Sequence, residues 1–196
     1  MRADAPAPTA APAPASASAS TPAGIRIRRF TAHEWPAYRA LRLRSLANAP
    51  DAFGSSLQAE EAWAHELWMA RLTAASVSGR DCPLVAESAG PDGVIADMLG
   101  LLWAKCDAED AGIVNLFQMW VAPEARGRGV AAALVDEAVT WARSIRAHTI
   151  RLGVVCSNQA AIRLYLRKGF RDVGAPAPIR PGSALLEQTM CLNLMQ

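Results

Sequence analysis

Ile113-Val114-Asn115-Leu116-Phe117-Gln118-Met119-Trp120-Val121, then Ala122-Pro123-Glu124-Ala125, then Arg126-Gly127-Arg128-Gly129-Val130-Ala131: the reading of this run decides the fold. Its first part is rich in β-branched and aromatic residues and predicts a strand, which Pro123 ends because proline has no N–H to give to a ladder. Beyond the glycines, Val130, Leu134, Ala138, Trp141 and Ile145 recur at helical spacing, with Asp136, Glu137, Thr140 and Arg143 on the other side. A glycine turn that opens a helix presents unpaired backbone N–H groups at the positive end of the helix dipole, a ready site for an anion such as phosphate. Glycine lets the backbone approach that anion closely, and Arg126 and Arg128 add charge and forked donors. The bare pattern leaves two readings open, a phosphate or pyrophosphate site and a purely structural helix turn. A Walker loop is excluded, since the only lysines are Lys105 and Lys168 and neither follows the turn. The dinucleotide fingerprint fails at its third glycine, where Ala132 stands.

The next segment separates the readings. Thr149 to Val155 predicts a second strand, parallel to the first because a helix crosses between them. Ser157-Asn158 offers N-cap chemistry, Ala160 to Lys168 predicts a helix, and Gly169-Phe170 stops it. Asn158 and Tyr165 are seven positions apart and so share a helix face. At this point the sequence resembles the GNAT superfamily of acyl-CoA N-acyltransferases. The family's phosphate signature, Arg/Gln-x-x-Gly-x-Gly/Ala, is matched by Arg126, Gly129 and Ala131. Its second signature is matched by Asn158, Ala161, Leu164, Tyr165, Gly169 and Phe170. The resemblance covers roughly residues 25 to 196 and is most specific over 113 to 174.

The resemblance implies an α+β (mixed α/β) fold, a central mixed sheet of roughly six to seven strands flanked by about four helices, with a cleft for the CoA thioester where the parallel strands splay. It implies acetyl-CoA as cosubstrate and no metal. The backbone of Arg126, Gly127, Arg128, Gly129, Val130 and Ala131 would hold the pyrophosphate, and Met119, Trp120 and Val121 would lend backbone groups to the pantetheine arm and acyl carbonyl. Asn158 would contact CoA, where its own chemistry asks only for an N-cap. Tyr165 would protonate the departing thiolate, where amphipathic packing alone would place it in the core. An acceptor amine with a pKa of ~10.4 is only ~0.1% neutral near pH 7.4, a cost of ~4 kcal/mol, so a base is needed. The strand before the turn offers Asn115 and Gln118 but no acid, unlike many relatives. Glu34, Glu60, Glu61, His65 and Glu187 remain as bases, alongside a water chain. The resemblance also makes Phe53-Gly54-Ser55-Ser56 and Trp63 acceptor-side candidates, where the aromatic rings by themselves read as core packing.

Composition frames these expectations. Residues 1–24 form an Ala/Pro/Ser-rich leader expected to be disordered, without the apolar stretch of a signal peptide, and 25–196 form one domain. A formal charge of +2 gives no case for nucleic acid, and no apolar run is long enough to span a membrane. Cys82, Cys106, Cys156 and Cys191 lack metal or redox spacing and read as small hydrophobes of a reducing cytoplasm. Thr31-x-x-Glu34 is a capping box, Leu57 to Ala75 predicts one helix, and Gly90-Pro91-Asp92-Gly93 predicts a hairpin turn, with a bulge at Gly100. The expected acceptor is a small-molecule amine and the expected state a monomer or homodimer. A protein amine as acceptor, or a CoA-binding sensor without turnover, stays open.

Overall fold

The computed structural model describes residues 24–89 and 95–195; most of the leader and the Gly90–Gly93 turn lie outside the described residues. Seven strands form one sheet: β1 (Ile25–Arg29), β2 (Asp81–Ala89), β3 (Ile95–Cys106), β4 (Ile113–Val121), β5 (Thr149–Val155), β6 (Arg171–Pro178) and β7 (Leu186–Asn193). Their order is β1-β2-β3-β4-β5-β7-β6, antiparallel at every pairing except β4 with β5. The helices are α1 (Trp35–Asn48), α2 (Leu57–Glu61), α3 (His65–Ser78), α4 (Val130–Ser144) and α5 (Gln159–Arg167). The mixed α+β architecture expected from the sequence is therefore present, with all seven strands.

Side-chain alternation along β3 sorts the helices onto the two faces. Trp103 meets Tyr38 of α1 and Arg71 of α3, whereas Gly100, of opposite parity, faces Leu134 of α4. Gly100 is required there, because a Cβ would stand 2.6 Å from the Trp120 carbonyl oxygen. The expected bulge sits beside it, where pairing steps from Ala86–Gly100 to Glu87–Met98 and leaves Leu99 extra. α5 joins α4 on its face: Lys168 Nζ donates to Asp136 Oδ1 and Oδ2 at 2.6 Å, and Gly169 lies against Leu192 of β7.

The sequence predicted a single helix from Leu57 to Ala75, and the structure corrects this. The chain breaks at Ala64, which is extended (φ −61°, ψ 152°), so that α2 ends and α3 starts afresh. After the break Glu60 is buried against Arg42 and Trp63 lies against Trp68. α3 then buries Trp68, Leu72 and Ala75 on one stripe and ends at Gly79 in the left-handed conformation. The capping box forms as expected, with the Thr31 N–H donating to Glu34 Oε2 at 2.8 Å, but it opens a 3₁₀ turn (Ala32–Glu34) that leads into α1.

Candidate active site

The site begins where a ladder stops. β4 and β5 pair from Ile113–Thr149 to Leu116–Leu152 and no further, although β4 continues to Val121 and β5 to Val155. The cause lies in β4. Between the pairs Leu101–Trp120 and Trp103–Phe117, β3 advances two residues and β4 three. Gln118 is the extra residue, at φ +57°, a left-handed conformation that costs a non-glycine residue about 1 kcal/mol or more. The Tyr38 hydroxyl donates to Gln118 Oε1 at 2.9 Å and fixes this bulge. Beyond it the two strands splay, and a cavity of about 1040 Å³ fills the gap.

At one end of the cavity stands the glycine turn. Gly127 (φ +74°) and Gly129 (φ +80°) are both left-handed, and Gly129 caps the N terminus of α4. Nothing lies within 4 Å of where a Gly127 Cβ would be, so the turn is open on its outer side. Arg126, Gly127, Gly129, Val130 and Ala131 line the cavity, and Arg128 is exposed beside it. The Arg126 side chain does not reach for a ligand. Its Nε donates to the Val121 carbonyl at 3.1 Å and its Nη2 to Asn48 Oδ1 at 2.8 Å, an oxygen that also accepts from Trp120 Nε1 at 3.0 Å. The guanidinium ties the end of β4 to the end of α1, and the anion-binding donors of the turn are its backbone N–H groups.

Along the gap lie Met119, Trp120 and Val121 of β4, and from the other side Asn158 and Tyr165. Asn158 Oδ1 accepts from the Ala161 N–H at 3.2 Å as the N-cap of α5, which leaves its amide NH₂ free for a second role. Tyr165 is 5% exposed and packs on Phe170. Burial pushes its pKa up to about 12, so its hydroxyl is a proton donor at neutral pH. That hydroxyl has no hydrogen-bond partner among the described residues.

The far end of the cavity opens on the opposite face of the sheet. Phe53, Gly54 and Ile179 border it, and Arg180, next to Ile179, donates from Nη1 to the Phe53 carbonyl at 3.1 Å. Ser55, Ser56 and Trp63 do not line it. Of the candidate bases, Glu34 is held by Arg28 at 2.6 Å, with its pKa lowered to about 2 by that contact. Glu60 is buried against Arg42; Glu61 and His65 are exposed and His65 lies on Trp35. Glu187 alone borders the cavity. Sequence reasoning had no means to prefer it, and Gly153, against which its carboxylate lies, went unnoticed. No group of three or more metal-ligating side chains occurs among the described residues, and no helix among them is long and apolar enough to cross a membrane.

Comparison with known proteins identifies the family. The mycothiol acetyltransferase of Thermobispora bispora is 29% identical over 154 residues, 76% of this chain and 47% of that protein. That of Mycobacterium avium is 35% identical over 80 residues, 37% of this chain and 25% of that protein. The chain thus spans less than half the length of these curated relatives. Among solved structures, spermidine N-acetyltransferase from Vibrio cholerae with CoA and spermine superposes with a TM-score of 0.69 at 17% identity, covering 87% of this chain and 95% of that one. Salmonella typhimurium yncA with its cofactor acetyl-CoA gives 0.69 at 21% identity, covering 88% and 95%. The model of the acetyltransferase (GNAT) family matches residues 40–170. This match takes in the bulged strand, the glycine turn and the Asn158–Phe170 segment together, and the chain belongs to that family.

Proposed function

We propose that the protein is an acetyl-CoA-dependent N-acetyltransferase whose acceptor is a primary amine of a small molecule, attacked directly in a ternary complex. The observation that carries this reading is the gap between β4 and β5, which runs without interruption from the helix N terminus at Gly129 to the opposite face of the sheet. The residues fit the cosubstrate. Backbone N–H groups of 127–131, at the positive end of α4, suit a pyrophosphate. The edge of β4 at Met119, Trp120 and Val121, unpaired toward β5, suits the amides of a pantetheine arm. The free amide of Asn158 offers a further donor.

Bound there, acetyl-CoA supplies an acyl carbon activated as a thioester. The chain's own groups do the rest. Backbone donors beyond the Gln118 bulge are fixed in advance and can meet charge developing on the carbonyl oxygen. Tyr165 stands ready to donate to the leaving sulfur. The Arg180–Phe53 bridge walls the acceptor side, which suits a small molecule better than an extended peptide. The relatives named for mycothiol and spermidine point the same way.

Calorimetry with acetyl-CoA, followed by thiol release with a panel of small amines and peptides, tests this reading. One-to-one binding and turnover with a small amine are expected. Gly129→Glu should abolish binding, since it forces a side chain into a left-handed position and sets a carboxylate where the pyrophosphate belongs. No binding at millimolar acetyl-CoA would overturn the cosubstrate assignment. Acetylation of peptides alone would overturn the small-molecule acceptor.

A further inference from the structure

We propose that Glu187 is the general base, its carboxylate seated over Gly153 in the β4–β5 gap to take the proton of the acceptor's ammonium group. The inference rests on the acetyl-transfer reading above and supplies the base that β4 lacks.

Four observations converge on Glu187. It is the only carboxylate lining the cavity among the described residues. Its side chain forms no hydrogen bond or ion pair among the described residues, whereas Glu34 and Glu60 are already held by arginines. Its place is set by the sheet. In antiparallel register Glu187 lies opposite Val155, and Thr189 opposite Gly153, so Glu187, Thr189 and Gly153 share one face. Leu152 and Val154 face the other way, toward the helices that carry Tyr165. Base and acid therefore reach the gap from opposite faces of the sheet, so the proton taken from the nitrogen and the hydrogen bond given to the sulfur do not compete for one position.

Gly153 makes the seat. A Cβ there would stand 2.1 Å from Glu187 Oε1 and 2.2 Å from its Cδ. The carboxylate lies against bare backbone, possible only with glycine at this position. Burial raises its pKa above the ordinary carboxylate range, with no contribution from a neighbouring charge. The charged and titratable groups around the cavity are Arg126 beyond β4, Arg151 of β5, Arg167 and Tyr165 of α5, with Arg180 at the rim; Arg126 and Arg180 are held to protein oxygens.

The step balances as follows. The ammonium gives one proton to Glu187, and the freed lone pair forms the C–N bond at the thioester carbon. The C–S bond breaks as the Tyr165 hydroxyl donates a hydrogen bond to the departing sulfur. The second nitrogen proton passes to solvent, which supplies the proton of the thiol, and Glu187 releases its own. The products are an amide, a free thiol and one proton.

The test is the pH dependence of kcat/KM for the acceptor in wild type, Glu187→Gln and Gly153→Ala, with acetyl-CoA affinity measured on the same preparations. In wild type a plateau is expected between the carboxyl pKa and the amine pKa. In Glu187→Gln the plateau should vanish. The rate should fall about 10²- to 10⁴-fold near neutrality and climb about tenfold per pH unit with the free-amine fraction, while acetyl-CoA affinity stays within about twofold. Gly153→Ala displaces only the end of a flexible side chain, so the fold is kept and a smaller loss with the same change of profile is expected. Wild-type rates and profile in either folded variant would overturn the role of Glu187 and leave acetyl transfer standing. Tight acetyl-CoA binding by wild type without turnover on any amine would overturn the underlying reading itself.

Discussion

For the role proposed for Tyr165, a single environment sets the size of the expected effect. Burial pushes its hydroxyl up to about 12, whereas a thiol of the CoA type has a pKa near ~8.5. Full transfer of the phenolic proton to the thiolate is uphill by about 3.5 units, or ~5 kcal/mol. In the proposed mechanism the hydroxyl therefore acts chiefly by donating a hydrogen bond as charge gathers on sulfur, and solvent completes the transfer. Tyr165→Phe should lower kcat by roughly 10- to 100-fold, the lower end of positioned acid catalysis, with acetyl-CoA affinity nearly unchanged. Steady-state rates and melting curves on one preparation check this; a rate loss that follows the melting temperature would mean the ring matters only for packing on Phe170. That Tyr165 and Asn158 stand on one side of the cavity was legible in the sequence, because seven-residue spacing is local information. Glu187 was not. It reaches the cavity from a strand that lies next to β5 only because β7 inserts between β5 and β6, and no periodicity encodes that neighbour. Arg126 was half legible: its place in the turn followed from the motif, but its side chain serves Asn48 and the Val121 carbonyl.

At the scale of elements, β4 and β5 ran where the sequence placed them, because β-branched runs bounded by proline, glycine or asparagine carry their own limits. The Gln118 bulge that parts them carries no such mark; its reason is Tyr38, 80 residues away. The break between α2 and α3 is similar. Glu60 reads as a surface residue until Arg42 is seen beside it, with Nε–Oε2 at 2.9 Å and Nη2–Oε1 at 2.6 Å. Arg42 is 2% exposed, and its guanidinium lies over the Phe53 ring at 4.6 Å, so the pair supports the Phe53 wall of the cavity from behind. Glu60→Ala leaves a buried cation without its partner, and a loss of about 3–5 kcal/mol is expected. The denaturant midpoint should drop with little change in slope. The acceptor KM should rise as Phe53 loosens, while acetyl-CoA affinity, set on the far side of the gap, should hold. An unchanged midpoint would show that Arg42 finds solvent or another acceptor.

At the scale of the whole molecule, one sheet is made to do two things. Its β1–β4 half is buried on both faces by α1, α3 and α4 and carries much of the core, including Leu84, Leu101 and Leu102. The β5–β7–β6 half is joined to it through only four paired residues on each of β4 and β5. The gap is where the ladder and the core are both incomplete, so a ligand that fills it should bind the folded state and tie the halves together. At 100 times its dissociation constant, acetyl-CoA should stabilise the fold by about 2.7 kcal/mol. For a domain of this size that corresponds to a rise in Tm of roughly 5–10 °C. The gain should also be local. Hydrogen exchange of amides in 118–121 and 127–131 should slow on binding beyond the general stabilisation, while those of β1 and β2, already paired and remote, should follow the global change alone. Gly129→Glu should show neither effect while keeping the core amides protected. Uniform slowing across the sheet, with no excess at the gap, would mean that the ligand sits elsewhere and that the splay between β4 and β5 is a feature of folding only.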